Sequence, residues 1–291
     1  EWSVHEALVD VTETFSPRID AVLTHQVDPG PFVACDLHLH AAPSDDSEVT
    51  LRDRVASLRA EGVDFAVASD HNHVTDYGPA TRELGMSESE FLSVPGVEVT
   101  TADPYFGHFN AYPYPLDEQK PAHGAPPYTG LTPAKLFESL HAVDPDIVVQ
   151  VNHPRSEGGI GYFDVMKLDA ETGNADPRYS ANYDALEVWN GFDLARADLI
   201  ESMFQEWLVL VRRGQRVAAV GSSDSHQVRY QVAGYPRTYV HVPSRSGRAL
   251  PTNASGDAKG SAKESEDGPE NGPENGSEDA VSASYSEVRE I

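Results

Sequence analysis

A chain of 291 residues with 39% hydrophobic and 9% aromatic content can bury a full α/β core, and its net charge of −26 argues against nucleic acid as the main partner. No apolar run reaches the ~18 residues of a membrane-spanning helix, so no membrane span is expected. The single cysteine, Cys35, lies in the apolar run 32–35 and reads as an inert buried thiol, which removes internal disulfides and cysteine metal sites from consideration.

The chain opens on Glu1 with no start methionine or leader pattern. A soluble protein whose native N-terminus lies outside this sequence is expected, with its cellular location unspecified. Residues 1–30 read as an N-terminal extension and 31–243 as one folded domain. Residues 244–279 are rich in Gly, Ser, Asn, Pro, Glu and Asp and repeat Gly-Pro-Glu-Asn at 268–271 and 272–275. Such a tract buries too little apolar surface to offset the entropy of ordering, so disorder is expected there. Residues 280–291, with Val281, Tyr285, Val288 and Ile291, read as the start of a resumed domain element that the chain cuts short.

Within the domain, apolar runs predict strands at 32–35, 63–69, 92–97, 109–112, 147–151, 185–188, 217–220 and 238–242. Helices are expected between several of them. Thr50 and Asp53 form a capping-box pattern ahead of Leu51, Val55 and Leu58. Thr132-Pro133 reads as N-cap and first helical position ahead of Leu136, Phe137 and Leu140. A third helix spans 193–213, with Leu199, Met203, Trp207 and Leu210 on one face and Gly214 as its stop. This alternation predicts an α/β fold with a parallel sheet closed, or nearly closed, into a barrel.

The polar clusters then fall at strand ends. His38 and His40 follow the first run, Asp70 and His71 the second, Glu98 the third, His153 the fifth, and Asp224 and His226 the run 217–220. In a parallel barrel these ends share one mouth, where catalytic groups collect. His38 and His40 alternate, so both side chains point to one face and can grip one ion. Imidazole and carboxylate donors suit Zn, Mn or Fe. His5, His25, His123, His141 and His241 have no partner at useful spacing, and His73 fits either an outer-layer or a solvent-facing role.

Asp36-Leu-His38-Leu-His40, Ser44-Asp45, Asp70-His71-Asn72, Gly96-Val-Glu98, His108, His153-Pro154 and Ser223-Asp224-Ser-His226 together resemble the PHP (polymerase and histidinol phosphatase) superfamily of metallohydrolases. Gly107-His108-Phe-Asn-Ala, Glu187-Val-Trp-Asn-Gly191 and Gly234-Tyr-Pro-Arg-Thr-Tyr-Val240 are similar to its carbaryl-hydrolase-like (CehA/McbA) branch. The resemblance implies a distorted (β/α)7 barrel holding two or three divalent metal ions. His38, His40, Glu98 and Asp224 would hold the first. Glu98, His108 and His153 would hold the second. Asp45, His71 and His226 would hold the third, with Asp46 competing for the place of Asp45.

The implied activity is hydrolysis of a small phosphoester or carbamate/carboxylic ester by water activated between two ions. Glu98, Asp224 and Arg155 are the expected catalytic groups, Arg155 neutralising charge on the attacked group or serving as a salt-bridge partner. Asp36 and Asp70 are expected to orient ligand histidines. The aromatic residues of the long connections 103–130 and 156–183 are candidates for pocket walls or for packed cover. A non-catalytic metal-binding module of a larger protein is the alternative.

Overall fold

The computed structural model describes residues 29–156, 158–191 and 194–243, with 3, 5–12, 18–22, 24 and 26 ahead of them. The acidic tract and the segment 280–291 lie outside the described residues, as does His25.

Strand β1 (Phe32–Asp36) leads through a polar loop to α1 (Leu51–Ala60), β2 (Phe65–Ala68), α2 (Gly78–Glu83) and β3 (Leu92–Pro95). Then come β4 (Val97–Thr100), β5 (His108–Tyr112), α3 (Pro133–Val143) and β6 (Val148–Val151), and after them α4 (Tyr162–Val165), β7 (Ala185–Asn190), α5 (Ala197–Arg212), β8 (Ala218–Ser222) and β9 (Thr238–His241). The expected caps are in place. Thr50 Oγ1 accepts from Asp53 N at 3.1 Å, and Thr132 Oγ1 accepts from Lys135 N at 3.4 Å. Gly214, at φ 92°, follows α5 in the left-handed conformation that ends a helix at least cost to glycine.

The fold is α/β, but its strands are neither all parallel nor gathered into one closed barrel among the described residues. They form a four-stranded sheet in the order β3-β2-β1-β9 and a five-stranded sheet in the order β4-β5-β6-β7-β8. β9 runs antiparallel to β1, and β5 runs antiparallel to both β4 and β6. The run 92–97, expected as one strand, is two, divided at Gly96. A Cβ there would meet Val67 Cγ1 at 2.7 Å and the Ala68 carbonyl oxygen at 3.0 Å, so only glycine allows the chain to pass from one sheet to the other so closely.

Val33, Cys35, Leu37, Phe65, Val67, Tyr112, Ala185 and Val220 pack into one buried cluster drawn from both sheets, and Cys35 is buried as expected. At one end the sheets are tied by single bridges, Leu39 with Ser225 and His71 with Glu98. These bridges bring the polar strand ends together. No helix among the described residues is long and apolar enough to cross a membrane.

Candidate metal centre

Each histidine reaches the centre by its own route. His38 and His40 extend past β1, His71 past β2 and His153 past β6, while Asp224 and His226 lie past β8. His108 opens β5, and because β5 is antiparallel to its neighbours its start lies at the same end as their finishes. Glu98 is not a strand-end residue as expected but the second residue of β4, where its backbone bonds to Asp70 and Asn72 seat it against the end of β2. His153 (φ 27°) and Asp224 (φ 48°) hold left-handed backbone, a conformation costing ~1–3 kcal/mol that persists only where its surroundings fix it.

Glu98 is fully buried at the middle of the cluster. Its Oε1 lies 3.1 Å from His38 Nε2, 3.3 Å from His108 Nδ1 and 3.7 Å from His153 Nε2. Its Oε2 lies 2.7 Å from His71 Nδ1 and 3.5 Å from His40 Nε2. Asp224 Oδ1 lies 3.2 Å from His38 Nε2 and 3.1 Å from His40 Nε2. Among the described residues, three sets of donors converge closely enough to share an ion: His38, His40 and Asp224; His71, Glu98 and His108; and His40, Asp46, His71 and His226.

The donor set fits a metal on its own geometry. His38 Nε2 and His40 Nε2 face each other at 3.2 Å. Two ring nitrogens and a carboxylate oxygen at such spacings match a tetrahedral site, whose bonds of ~2.0–2.1 Å set the ligands roughly 3.3 Å apart. Glu98 Oε2 and His108 Nδ1 are buried polar atoms without an aligned hydrogen-bond partner. Leaving such atoms unsatisfied costs ~1–3 kcal/mol each, and a cation between them would satisfy both.

The electrostatics agree with that assignment. Burial pushes Glu98 up, but His38 and His108 outweigh it and hold the carboxylate well below its usual range. Burial likewise opposes charge on His38, yet Asp224, Glu187 and Glu98 raise its pKa well above the ordinary imidazole value. His71 is pushed up to about 9, the contact and charge of Glu98 and the charge of Asp46 overcoming burial. For His40 burial wins and its pKa falls to about 4. Negative charge at the centre thus calls for compensating cations.

Two expectations change. Asp46, not Asp45, is the carboxylate brought to the outer histidines, its Oδ2 lying 3.4 Å from His71 Nε2 and 3.2 Å from His226 Nε2. The pair Asp45-Asp46 gave no sequence basis for choosing, since the turn that follows Ser44 decides which side chain points inward. For Arg155 the salt-bridge alternative is the one the structure shows. Its guanidinium meets Glu206 at 3.0 Å, Asp164 at 3.1 Å and the Leu168 carbonyl at 2.6 Å, with the Phe163 ring 5.6 Å away. It therefore ties the loop after β6 to α4 and α5. Arg155→Leu is expected to lower stability by about 1–3 kcal/mol while leaving metal stoichiometry unchanged, as thermal unfolding and elemental analysis would show. Loss of bound metal in this variant would restore Arg155 to the site.

Asp36 and Asp70 act through their neighbours. Asp36 accepts from Ser223 N and Oγ and from Gly234 N, which holds the turn that carries Asp224. Asp70 accepts from Ser44 Oγ at 2.8 Å, and that oxygen lies 2.9 Å from His40 Nδ1. His73 stands outside the three donor sets, its ring 4.4 Å from that of His123. His141 pairs with Asp184, and His241 packs on Phe32.

Beside His108 and His153 opens a cavity of about 280 Å³, lined on its apolar side by Ile160, Leu199, Ile200 and Met203. Arg155, Arg196, Glu187 and Asn190 also line it, and among the described residues no Phe, Tyr or Trp does. Phe106, Tyr112, Tyr114, Tyr162 and Phe163 are buried, so the packed-cover alternative holds for them. Of the loop aromatics, Tyr105 approaches the centre, its ring 5.9 Å from His108 and its hydroxyl donating to the Ile160 carbonyl at 2.9 Å.

No protein-family model matches the chain, and no curated protein matches it. Among solved structures it is similar to a two-domain protein from Bacteroides vulgatus described as containing a predicted PHP-like metal-dependent phosphoesterase. That match has 19% identity over 75% of this chain and a TM-score of 0.43, and the chain spans 59% of the other's length. It is also similar to a candidate metal-dependent phosphoesterase from Bifidobacterium adolescentis, with 16% identity over 70% of this chain and 92% of that one, and a TM-score of 0.44.

Proposed function

We propose that this chain is a metal-dependent hydrolase of small ester-type substrates, of the PHP type and similar to the carbaryl-hydrolase-like branch in its motifs. One observation carries the proposal: six histidines and two further carboxylates, from separate segments, gather with the buried, incompletely hydrogen-bonded Glu98. His38, His40 and Asp224 would hold one divalent ion, and Glu98 and His108, with His153 alongside, a second. Asp46, His71 and His226 would hold a third. Zn, Mn and Fe all suit these donors.

Bound ions would make water a nucleophile near neutral pH and stabilise negative charge on the attacked ester. The chain's own contribution is to fix that geometry and to limit what enters. Asp36, Asp70 and Ser44 hold the ligand-bearing turns in place, and the apolar side of the cavity receives the apolar part of the ester. With Arg155 bound to two carboxylates and Arg196 at the wall, a small phosphoester or a carbamate or carboxylic ester suits the cavity better than a polyanion.

The test is turnover of nitrophenyl phosphates and naphthyl carbamates by protein stripped of metal and reloaded with Zn²⁺ or Mn²⁺. His38→Ala is expected to stay folded, to bind less metal and to lose most turnover. Absence of turnover across both panels in a metal-loaded sample, or wild-type turnover by the variant, would overturn the assignment.

A further inference from the structure

Glu187 is a buried carboxylate on β7, 1% exposed, that belongs to none of the three donor sets. Its contacts reach His38, His153 and, through Asn190, Asp224. Its Oε1 lies 3.1 Å from His38 Nδ1, the ring nitrogen turned away from Asp224 and Glu98. Its Oε2 accepts from the backbone N–H of His153 at 2.7 Å and from Asn190 Nδ2 at 3.0 Å. Asn190 Nδ2 in turn reaches Asp224 Oδ2 at 3.0 Å. The register of β7 against β8 shifts between Glu187 and Trp189, and Asn190 lies just beyond that shift.

We infer that Glu187 is a positioning residue that fixes the tautomer of His38 and the left-handed backbone of His153 together, and so sets two metal donors from different strands at once. The inference rests on the metallohydrolase proposal and deepens it.

The chemistry follows from what a carboxylate can and cannot do. An ionised carboxylate only accepts, so His38 Nδ1 must carry the proton, leaving Nε2 with a free lone pair toward His40 and Asp224. An imidazole held through its other nitrogen by a carboxylate is the usual arrangement for a metal-bound histidine. The second oxygen of Glu187 gives the strained His153 backbone, φ 27°, a charge-assisted partner.

Glutamine is the discriminating substitution because it keeps shape and reverses one bond. In Glu187→Gln the amide oxygen still accepts from His153 N, so the NH₂ group faces His38 Nδ1. That NH₂ can only donate, which moves the proton of neutral His38 to Nε2 and blocks its lone pair. Glu187→Ala instead leaves room for water, which can accept from Nδ1, so the tautomer stays free. Removing an outer partner of a metal ligand typically costs ~10–100-fold in metal affinity.

The experiment is calorimetric titration of metal-stripped protein with Zn²⁺, alongside circular dichroism and nitrogen-15 NMR of histidine in the Zn²⁺-loaded wild type. We expect affinity at the His38 site to fall by roughly 10-fold in Glu187→Ala and by roughly 100-fold in Glu187→Gln. We also expect His38 in the loaded wild type to show a protonated Nδ1. A role in packing alone predicts the opposite order, since alanine leaves the larger void. Equal affinity in Glu187→Gln and wild type, weaker binding by alanine than by glutamine, or a protonated Nε2 on His38 would each overturn the inference. Failure of the wild type itself to bind Zn²⁺ would instead overturn the metallohydrolase proposal.

Discussion

Glu98→Ala is expected to lower affinity for divalent metal by more than roughly 100-fold, beyond the ~10–100-fold that removal of an outer hydrogen-bond partner costs. No other side chain in the cluster has its reach. The two oxygens of Glu98 lie within 3.7 Å of ring nitrogens from His38, His40, His71, His108 and His153. Those rings come from both sheets, so the carboxylate is also the charge around which the two sheets meet. Its removal leaves several buried imidazoles without their main counter-charge, and two donor sets lose their shared neighbour.

Glu98→Gln separates charge from shape. The amide keeps one acceptor oxygen and presents an NH₂ where a second acceptor stood, so an intermediate loss is expected. Elemental analysis after dialysis against Zn²⁺, paired with calorimetric titration of stripped protein, gives both stoichiometry and affinity. An alanine variant that binds within threefold of wild type would remove Glu98 from the centre of the site.

The residue types of the cluster were legible in the sequence, because metal ligation would demand particular side chains and those stand out in strand-end positions. Eight of the nine expected donors, all but Asp45, fall in the three converging sets or, for His153, directly beside them. What stayed hidden was geometry that depends on chain direction. His108 opens its strand, and only the antiparallel course of β5 turns that start toward the other donors. The closed parallel barrel failed for the same reason, since apolar runs mark strands without fixing their direction. The choice between the two readings of Arg155, and the contacts of Glu187, depend on Glu206, Asp164 and His38, 51, 9 and 149 residues away in sequence. Asp46 needed the turn after Ser44. The aromatic loop residues left pocket wall and packed cover both open, because composition cannot tell a lid from a core.

Arg54 carries the second large prediction, and its signal was present in the sequence. It sits on α1 three residues after Leu51 and one before Val55, inside the apolar stripe that Leu51, Val55 and Leu58 define. A charged residue on that stripe must find partners inside the protein. Arg54 is fully buried, and its partners are the turns that carry metal donors: Nε donates to the His40 carbonyl at 2.8 Å, Nη1 to Ser225 Oγ at 2.9 Å and Nη2 to the Ser225 carbonyl at 2.9 Å. Burial lowers its pKa, and the charges of Asp36 and Asp70 oppose that shift. One guanidinium thus clamps the end of β1 to the end of β8, beside the bridge from Leu39 to Ser225.

Arg54→Met keeps much of the volume and removes all three donors. Hydrogen bonds from a charged donor contribute ~1.5–3 kcal/mol each, so losing three, partly offset by the apolar methionine, costs ~3–5 kcal/mol. For a domain of this size each kcal/mol shifts the melting temperature by ~2–4 °C, so a fall of roughly 6–20 °C is expected. Metal should then recover part of the loss, since ions binding His38, His40 and Asp224 would tie together the same two strand ends from the other side. Thermal melts with and without Zn²⁺ test both statements. A melting temperature within 2 °C of wild type would show that the clamp is dispensable. A large fall that Zn²⁺ does not reduce would show that Arg54 supports the fold without supporting the centre.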